Sequence, residues 1–316
     1  MHKIKFTINA LAFLSFSLAL ASVAHAIPRT YVTMSGNDNN TCAFNAPCRT
    51  FKEAITKTDS GGEIIPLETG TYGLLTIDKP VSIIAPPGVH AEIAPSGALT
   101  GIIVQGGAAL GSVVLRNLYL TGTPNVGKGI DAKAVGALHV ENCVIHGFDK
   151  GINFAPAPGL LYVKDTTVRN SHDGIYVVST GGDNDNRVKV FIEHCRFENY
   201  FQGVVAADRY GSFTIRDSIF TGRGRDSAVT YGGIIAAPNP GGSTSIMVEN
   251  CLLSNNHLAI GTKTDGVTFF YLSQNVIYDN QYGISICCLS KLNTFGNNRF
   301  EHNDDDGFFN DSTALK

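Results

Sequence analysis

The residues best suited to chemistry fall into three groups. The first is a scatter of ionisable side chains at comparable points of a recurring pattern: Asp131, Lys133, Asp183, Asp185, Arg187, Asp208, Arg209, Tyr210, Lys263 and Asp265. Both signs are present, with one phenol, so the set could hold a polar ligand through charged and neutral hydrogen bonds. Within it, Asp183-Asn184-Asp185-Asn186 is rich in oxygen and could hold Ca²⁺. It is a weak cation candidate, because it departs from the EF-hand pattern at Arg187 and no Glu closes it. A polar loop tip is the plainer account. The second group is Phe148, His172, Tyr200, Phe201, Tyr231, His257, Tyr282 and His302. Such rings could stack on sugars or simply pack on one another. His172-Asp173 has the composition of an acid–base pair, but neighbours along a strand point to opposite faces, which counts against it. The third group is cysteine. Cys42 and Cys48 sit close together in a polar loop and are expected to form a disulfide in an exported chain. Cys143, Cys195 and Cys251 follow equivalent positions of the pattern, and Cys287-Cys288 are adjacent. No Cys-x-x-Cys spacing exists, so nothing points to zinc.

The elements that must position these groups come from one phrase, repeated eight times and clearest as Val140-Glu141-Asn142-Cys143-Val144-Ile145 followed by Gly151-Ile152. Its anchors are Asn117, Asn142, Asp165, His194, Asp217, Asn250, Gln274 and Asn297. An apolar residue lies two before each anchor, from Leu115 to Phe295, and another three after it, from Leu120 to Phe300. A small residue and an apolar one follow, as in Gly129-Ile130, Gly174-Ile175 and Ala259-Ile260. Anchors recur every 23 to 33 residues. That period calls for a repeat architecture. β-branched triplets, Asn or Asp at bends, and no helical period after about residue 58 favour a coil of three short strands. Periods of 23 and above fit a right-handed parallel β-helix of about ten coils. Glycine before isoleucine is expected to supply a positive-φ bend.

The residue before each anchor reads Arg116, Glu141, Lys164, Glu193, Arg216, Glu249. Stacked coils would make these neighbours, and alternating charge favours that register. Read this way, the Glu, Asn and Cys of the phrase are structural: a charge ladder, a bend ladder and buried thiols too far apart to bond across alternate coils.

Residues 1–26 read as a signal peptide: Lys3 and Lys5, an apolar core near Leu11 to Val23, then Ala24-His25-Ala26. The mature chain is expected to be secreted or periplasmic, with no later membrane span. Without Lys3 and Lys5 it carries 22 Lys+Arg against 27 Asp+Glu, with no basic run, so nucleic acid is not expected. Segment 27–61 reads as an N-terminal cap and 62–316 as the solenoid. Thr50 and Glu53 match a capping box, so a short helix is expected from Thr50 to about Lys57. A monomer is expected.

The run Tyr31-Val32, Gly36-Asn37-Asp38, Cys42, Pro47-Cys48-Arg49-Thr50-Phe51, Ala54-Ile55 and Gly70-Thr71-Tyr72, with the repeats, resembles secreted bacterial β-helix proteins of the pectin-lyase-like superfamily. The resemblance implies a right-handed parallel β-helix with the helix capping its open end. It also implies a polysaccharide, bound or processed, along one face. Lyase chemistry in that superfamily uses an Arg or Lys base and usually Ca²⁺. Polygalacturonases carry Asn-Thr-Asp, Asp-Asp, Gly-His-Gly and Arg-x-Lys. Here only Arg187-Val188-Lys189 matches in sequence, Asp304-Asp305-Asp306 lies at the C-terminal end, and Gly-His-Gly does not occur. The carboxylate pair of a hydrolase is therefore not supported. The remaining choices are a lyase or hydrolase-like enzyme, a carbohydrate binder, and a non-catalytic surface scaffold. No cofactor beyond that Ca²⁺ candidate is expected.

Overall fold

Each coil is built from three strands. One coil runs Ala137–Glu141, Val144–His146 and Lys150–Phe154. Their side chains alternate between the interior and the surface because a strand repeats every two residues. Leu138, Val140, Ile145, Ile152 and Phe154 are fully buried. The computed structural model describes residues 28–97, 99–106, 111–156, 158–178, 187–224, 232–264, 266–287, 289–307 and 311–312. The segment read as a signal peptide lies outside these, as do Asp183, Asp185, Tyr231, Asp265, Cys288 and Phe308.

Among the described residues the strands form three parallel sheets of 12, 10 and 9 strands. The first sheet holds the strands before the anchors, the second those just after, and the third those at the glycine–isoleucine pairs. Strand 29–32 pairs with 62–66, so the cap segment joins the first sheet directly. The helix Phe51–Lys57 follows; Thr50 caps it by accepting the Glu53 N–H at 3.2 Å. It buries Phe51, Ala54 and Ile55 over the end of the stack, where open coil would expose strand edges. Cys42 and Cys48 form a disulfide, with Cα atoms 4.6 Å apart.

The ladder of charges pairs as its alternation requires: Arg116, Glu141, Lys164, Glu193, Arg216 and Glu249 are successive partners. Arg116 reaches Glu141 at 2.6 Å, and Arg216 meets Glu193. Seven anchors, Asn117 to Gln274, have φ between 49° and 59°. Asn and Asp tolerate this region because their short polar side chains bond locally. Asn142 Nδ2 donates to Asn117 Oδ1 at 2.6 Å, and Asn250 Nδ2 to Asp217 Oδ1 at 2.7 Å.

Two expectations need correction, and one further column appears. In the last coil the left-handed residue is Gly296 (φ 77°), not Asn297. Thr294, not Phe295, then stacks on Leu272. The bend carries an extra column: Asn170, Asn199, Asn255, Asp279 and His302, five after their anchors, also have φ between 51° and 57°. Second, the glycines before isoleucine are not positive-φ bends. A Cβ on Gly174 would lie 2.5 Å from the Gly203 carbonyl and 2.8 Å from the Phe197 ring. Gly203 repeats this against Gly233 O (2.5 Å) and Phe220 (2.8 Å). Glycine is needed there so that successive coils can approach.

The cysteine column alternates with hydroxyls. Thr166 Oγ1 accepts the Cys143 N–H at 3.2 Å, and Ser218 Oγ that of Cys195 at 3.0 Å. The thiols donate to main-chain carbonyls, Cys143 Sγ to Glu141 O at 3.3 Å. Burial pushes all three up to about 12. They are inert packing groups.

Candidate functional site

The outer face of the third sheet gathers the strongest cluster of polar groups. Two columns lie on the side of the sheet away from the core, where Asp131, Asn153, Asp173, Val205, Ile235 and Leu258 are nonetheless buried. One reads Lys128, Lys150, Asp173, Gln202, Gly232, Leu258, Tyr282 along successive coils. The other reads Ile103, Asp131, Asn153, Tyr176, Val205, Ile235. The face is therefore polar in its middle coils and apolar at both ends.

Asp131 accepts from Lys128 Nζ at 3.1 Å and Asn153 Nδ2 at 2.7 Å. Asp173 is the centre of a larger set, with its side chain only 3% exposed. Its Oδ1 receives His172 Nδ1 at 2.8 Å and Gln202 Nε2 at 3.0 Å, and Lys150 Nζ lies 3.6 Å from Oδ2. The hydrogen bond to Asp173 raises the His172 pKa against the opposing effect of burial. Lys150 also sits over the Tyr176 ring, 4.9 Å from its centre. Lys263, from two coils further on, donates to Gln202 Oε1 at 2.8 Å. Gly232, the residue between Gln202 and Leu258 in the column, carries no side chain. The Lys263 side chain remains exposed, while the protein atoms crowding its ammonium lower its pKa. His172, Asp173, Gln202 and Lys263 thus form one hydrogen-bonded line across the sheet.

This corrects the reading of His172-Asp173. The alternation that set them apart holds only inside a strand, and the strand begins at Asp173. His172 lies in the bend, free to turn back. Its ring packs on Phe201 at 4.9 Å, and Arg223 lies over Phe201 at 4.3 Å. The other bend rings also pack: His257 meets Tyr282 at 5.4 Å, His302 meets Tyr278 at 5.3 Å, and Phe148 and Tyr200 are buried.

The ionisable set read from the sequence does not converge. Lys263 joins the cluster. Asp208 does not: it is fully buried, with Oδ1 on Thr244 Oγ1 at 3.2 Å, so it cannot meet a ligand. Arg209 folds over Tyr210, 5.6 Å from the ring centre, and the Tyr210 hydroxyl donates to Gly241 O at 3.4 Å; both serve the bend. Arg187 is half-buried at the foot of its strand. Asp183, Asp185 and Asp265 lie outside the described residues. The sequence reading missed Lys128, Lys150 and Gln202, and it set Asp173 aside on strand alternation. Their signal was present: each is the residue just before a column glycine.

These three sheets and their winding define a right-handed parallel β-helix of the pectin-lyase-like kind. The family described as "Periplasmic copper-binding protein (NosD)" matches residues 110–313, and the chain belongs to that family. The protein is thus secreted or periplasmic. Pectate lyase Pel9A superposes with a TM-score of 0.53 at 16% identity, covering 91% of this chain and 78% of its own. XylC in complex with xylose gives 0.56 at 7% identity, covering 84% and 68%. A rhamnogalacturonan lyase gives 0.54 at 13%, covering 80% and 75%. At these identities the likeness is one of fold. No curated protein sequence matches the chain.

The family description raises copper, and the described residues do not fit it. They contain no group of three or more His, Cys, Asp or Glu side chains placed to share a metal. Copper takes thiolate, thioether or imidazole ligands. The three column thiols are held protonated by burial, with Thr166 and Ser218 lying between them in the stack.

Proposed function

We propose that the protein binds a polysaccharide across the outer face of the third sheet. The hydrogen-bonded line of His172, Asp173, Gln202 and Lys263 carries this reading. It offers donors and acceptors from several coils on one rigid sheet, which suits a chain of hydroxyl-bearing sugars. Lys263 is hydrogen-bonded to a neutral amide, so its charge is available to a carboxylated sugar. The solved structures of like fold include a pectate lyase, a rhamnogalacturonan lyase and a protein in complex with xylose, which supports a carbohydrate partner.

Affinity electrophoresis through gels of acidic and neutral glycans tests this. Lys263→Ala and Gln202→Ala are expected to weaken retention about tenfold to a hundredfold, the cost of one charge-assisted hydrogen bond. Arg196→Ala, on the second sheet and paired with Glu198, is expected to change nothing. Equal retention of Lys263→Ala and the parent would sink the proposal. Retention of neither would favour a scaffold. Ultraviolet absorbance from unsaturated uronates in the same mixtures separates a lyase from a binder.

A further inference from the structure

We infer that the outer face of the first sheet is a docking surface for a second copy of this chain, arranged antiparallel about a two-fold axis. The face is independent of the third-sheet site. It runs against the monomer expected from sequence.

Three outward columns lie side by side. The first is the charge ladder Arg116, Glu141, Lys164, Glu193, Arg216, Glu249. The second reads Val114, His139, Tyr162, Phe191, Thr214, Met247, Tyr271. The third reads Ser112, Ala137, Leu160, Lys189, Ser212, Ser245. The central column is apolar and aromatic for a solvent face: Phe191 and Tyr271 are each 37% exposed. His139 and Tyr162 already pack ring to ring at 5.6 Å.

The ladder has a symmetry that stability of one chain does not require. It has six members of alternating sign, so reading it backwards exchanges plus for minus. A two-fold axis along the strands, passing between the Lys164 and Glu193 coils, turns the stack end for end while keeping each column over itself. Lys164 then faces Glu193 of the second copy, Glu141 faces Arg216, and Arg116 faces Glu249. Every contact is opposite in sign, and each occurs twice, as an isologous interface demands. A slip of one coil sets each charge against its like. The same axis puts Tyr162 over Phe191, His139 over Thr214 and Val114 over Met247, with no like-charged pair in the third column. Two sheets stack about 10 Å apart, within reach of these side chains. With the flanking strands Val81–Ile84 and Val267–Ser273, which pair with the ends of the ladder, the patch is about five residues wide and eight coils deep, about 17 Å by 34 Å. It would bury about 1,100 Å² over both copies, at the lower edge of specific interfaces.

Sedimentation equilibrium or light scattering on the full mature chain tests the proposal. The parent is expected to shift from monomer to dimer with concentration. Lys164→Glu is expected to weaken dimerisation about tenfold or more, since it sets like charges together twice. The double variant Lys164→Glu, Glu193→Lys restores opposite charges across the axis while leaving like neighbours within each chain. It is expected to dimerise within about threefold of the parent. Phe191→Arg, at an exposed position, is expected to abolish the dimer while melting as the parent does at concentrations where both are monomeric. A parent monomeric at about 0.1 mM overturns the inference. So does a double variant no better than the single one, which would make the ladder purely intrachain. Loss of glycan retention in Phe191→Arg from a monomeric parent would assign this face to a polysaccharide and overturn it as well.

Discussion

Asp208→Asn will raise the unfolding free energy by about 3 kcal/mol at pH 7 and leave it nearly unchanged near pH 4. Asp208 is fully buried, and its Oδ2 has no hydrogen-bond partner. Burial raises its pKa from 3.8 to about 6, against smaller opposing hydrogen bonds to main chain and Thr244. The folded state therefore holds its proton more tightly than the unfolded chain. Its contribution is most favourable below the unfolded value of 3.8 and is lost as pH rises through about 6. At neutral pH the fold carries a buried anion with one unpaired oxygen, and such a group is costly. The amide copies the shape of the protonated acid and never ionises. Glu68 works the other way: the Thr33 hydroxyl lowers its pKa, so its contribution is lost as pH falls. Comparing variant with parent at each pH cancels that background. Denaturant titrations at pH 4 and pH 7 provide the measurement. An equal change at both pH values would mean that Asp208 is not the ionising group.

Gly174→Ala will destabilise the fold by about 3 kcal/mol, well beyond an ordinary glycine-to-alanine exchange in a strand. The added Cβ meets the Gly203 carbonyl at 2.5 Å and the Phe197 ring at 2.8 Å. The carbonyl cannot retreat, because it belongs to the next coil. The ring cannot either, because Phe197 stacks on Phe220 with centres 4.6 Å apart. The same column tolerates Ala259, and above Gly233 the nearest side-chain atom is from Leu253 at 3.2 Å. A side chain closer than 3 Å thus marks where glycine is obligatory: Phe197 at Gly174, Phe220 at Gly203 and Val168 at Gly151. Gly174→Ala combined with Phe197→Leu should recover part of the loss, a coupling that a double-mutant cycle reads directly. Strict additivity of the two changes would remove the ring from the explanation.

The two glycine readings illustrate what was legible. Glycine before isoleucine was visible as a column, and its place in the coil was right. Its reason was not visible, because close approach to a carbonyl one coil away has no sequence signature distinct from a bend. The anchors behaved differently. Asn, Asp and His at a fixed offset suit a left-handed bend through their own chemistry, and six of them have it, with Gln274 as a seventh anchor. The last coil escaped because Gly296, one residue earlier, can take that conformation more easily than Asn297.

The candidate site was legible only in pieces. Lys263 was named, but the carboxylate it was grouped with, Asp208, turned inward where a bend closes over it. Asp173 was set aside by strand alternation, a rule that fails at the first residue of a strand. Gln202 drew no notice, since an uncharged amide beside a glycine looks like any surface residue.

The sequence by itself determined the period, the three-sided coil, the register of the charge ladder and the interior columns. Each follows from side-chain types recurring at fixed spacing, which a stack of identical turns converts directly into neighbours. Only the tertiary structure decided which ionisable groups meet. His172, Asp173, Gln202 and Lys263 span more than 90 positions in the chain yet form one hydrogen-bonded line. That depends on where each bend turns and on which neighbour has no side chain, quantities set by packing across coils.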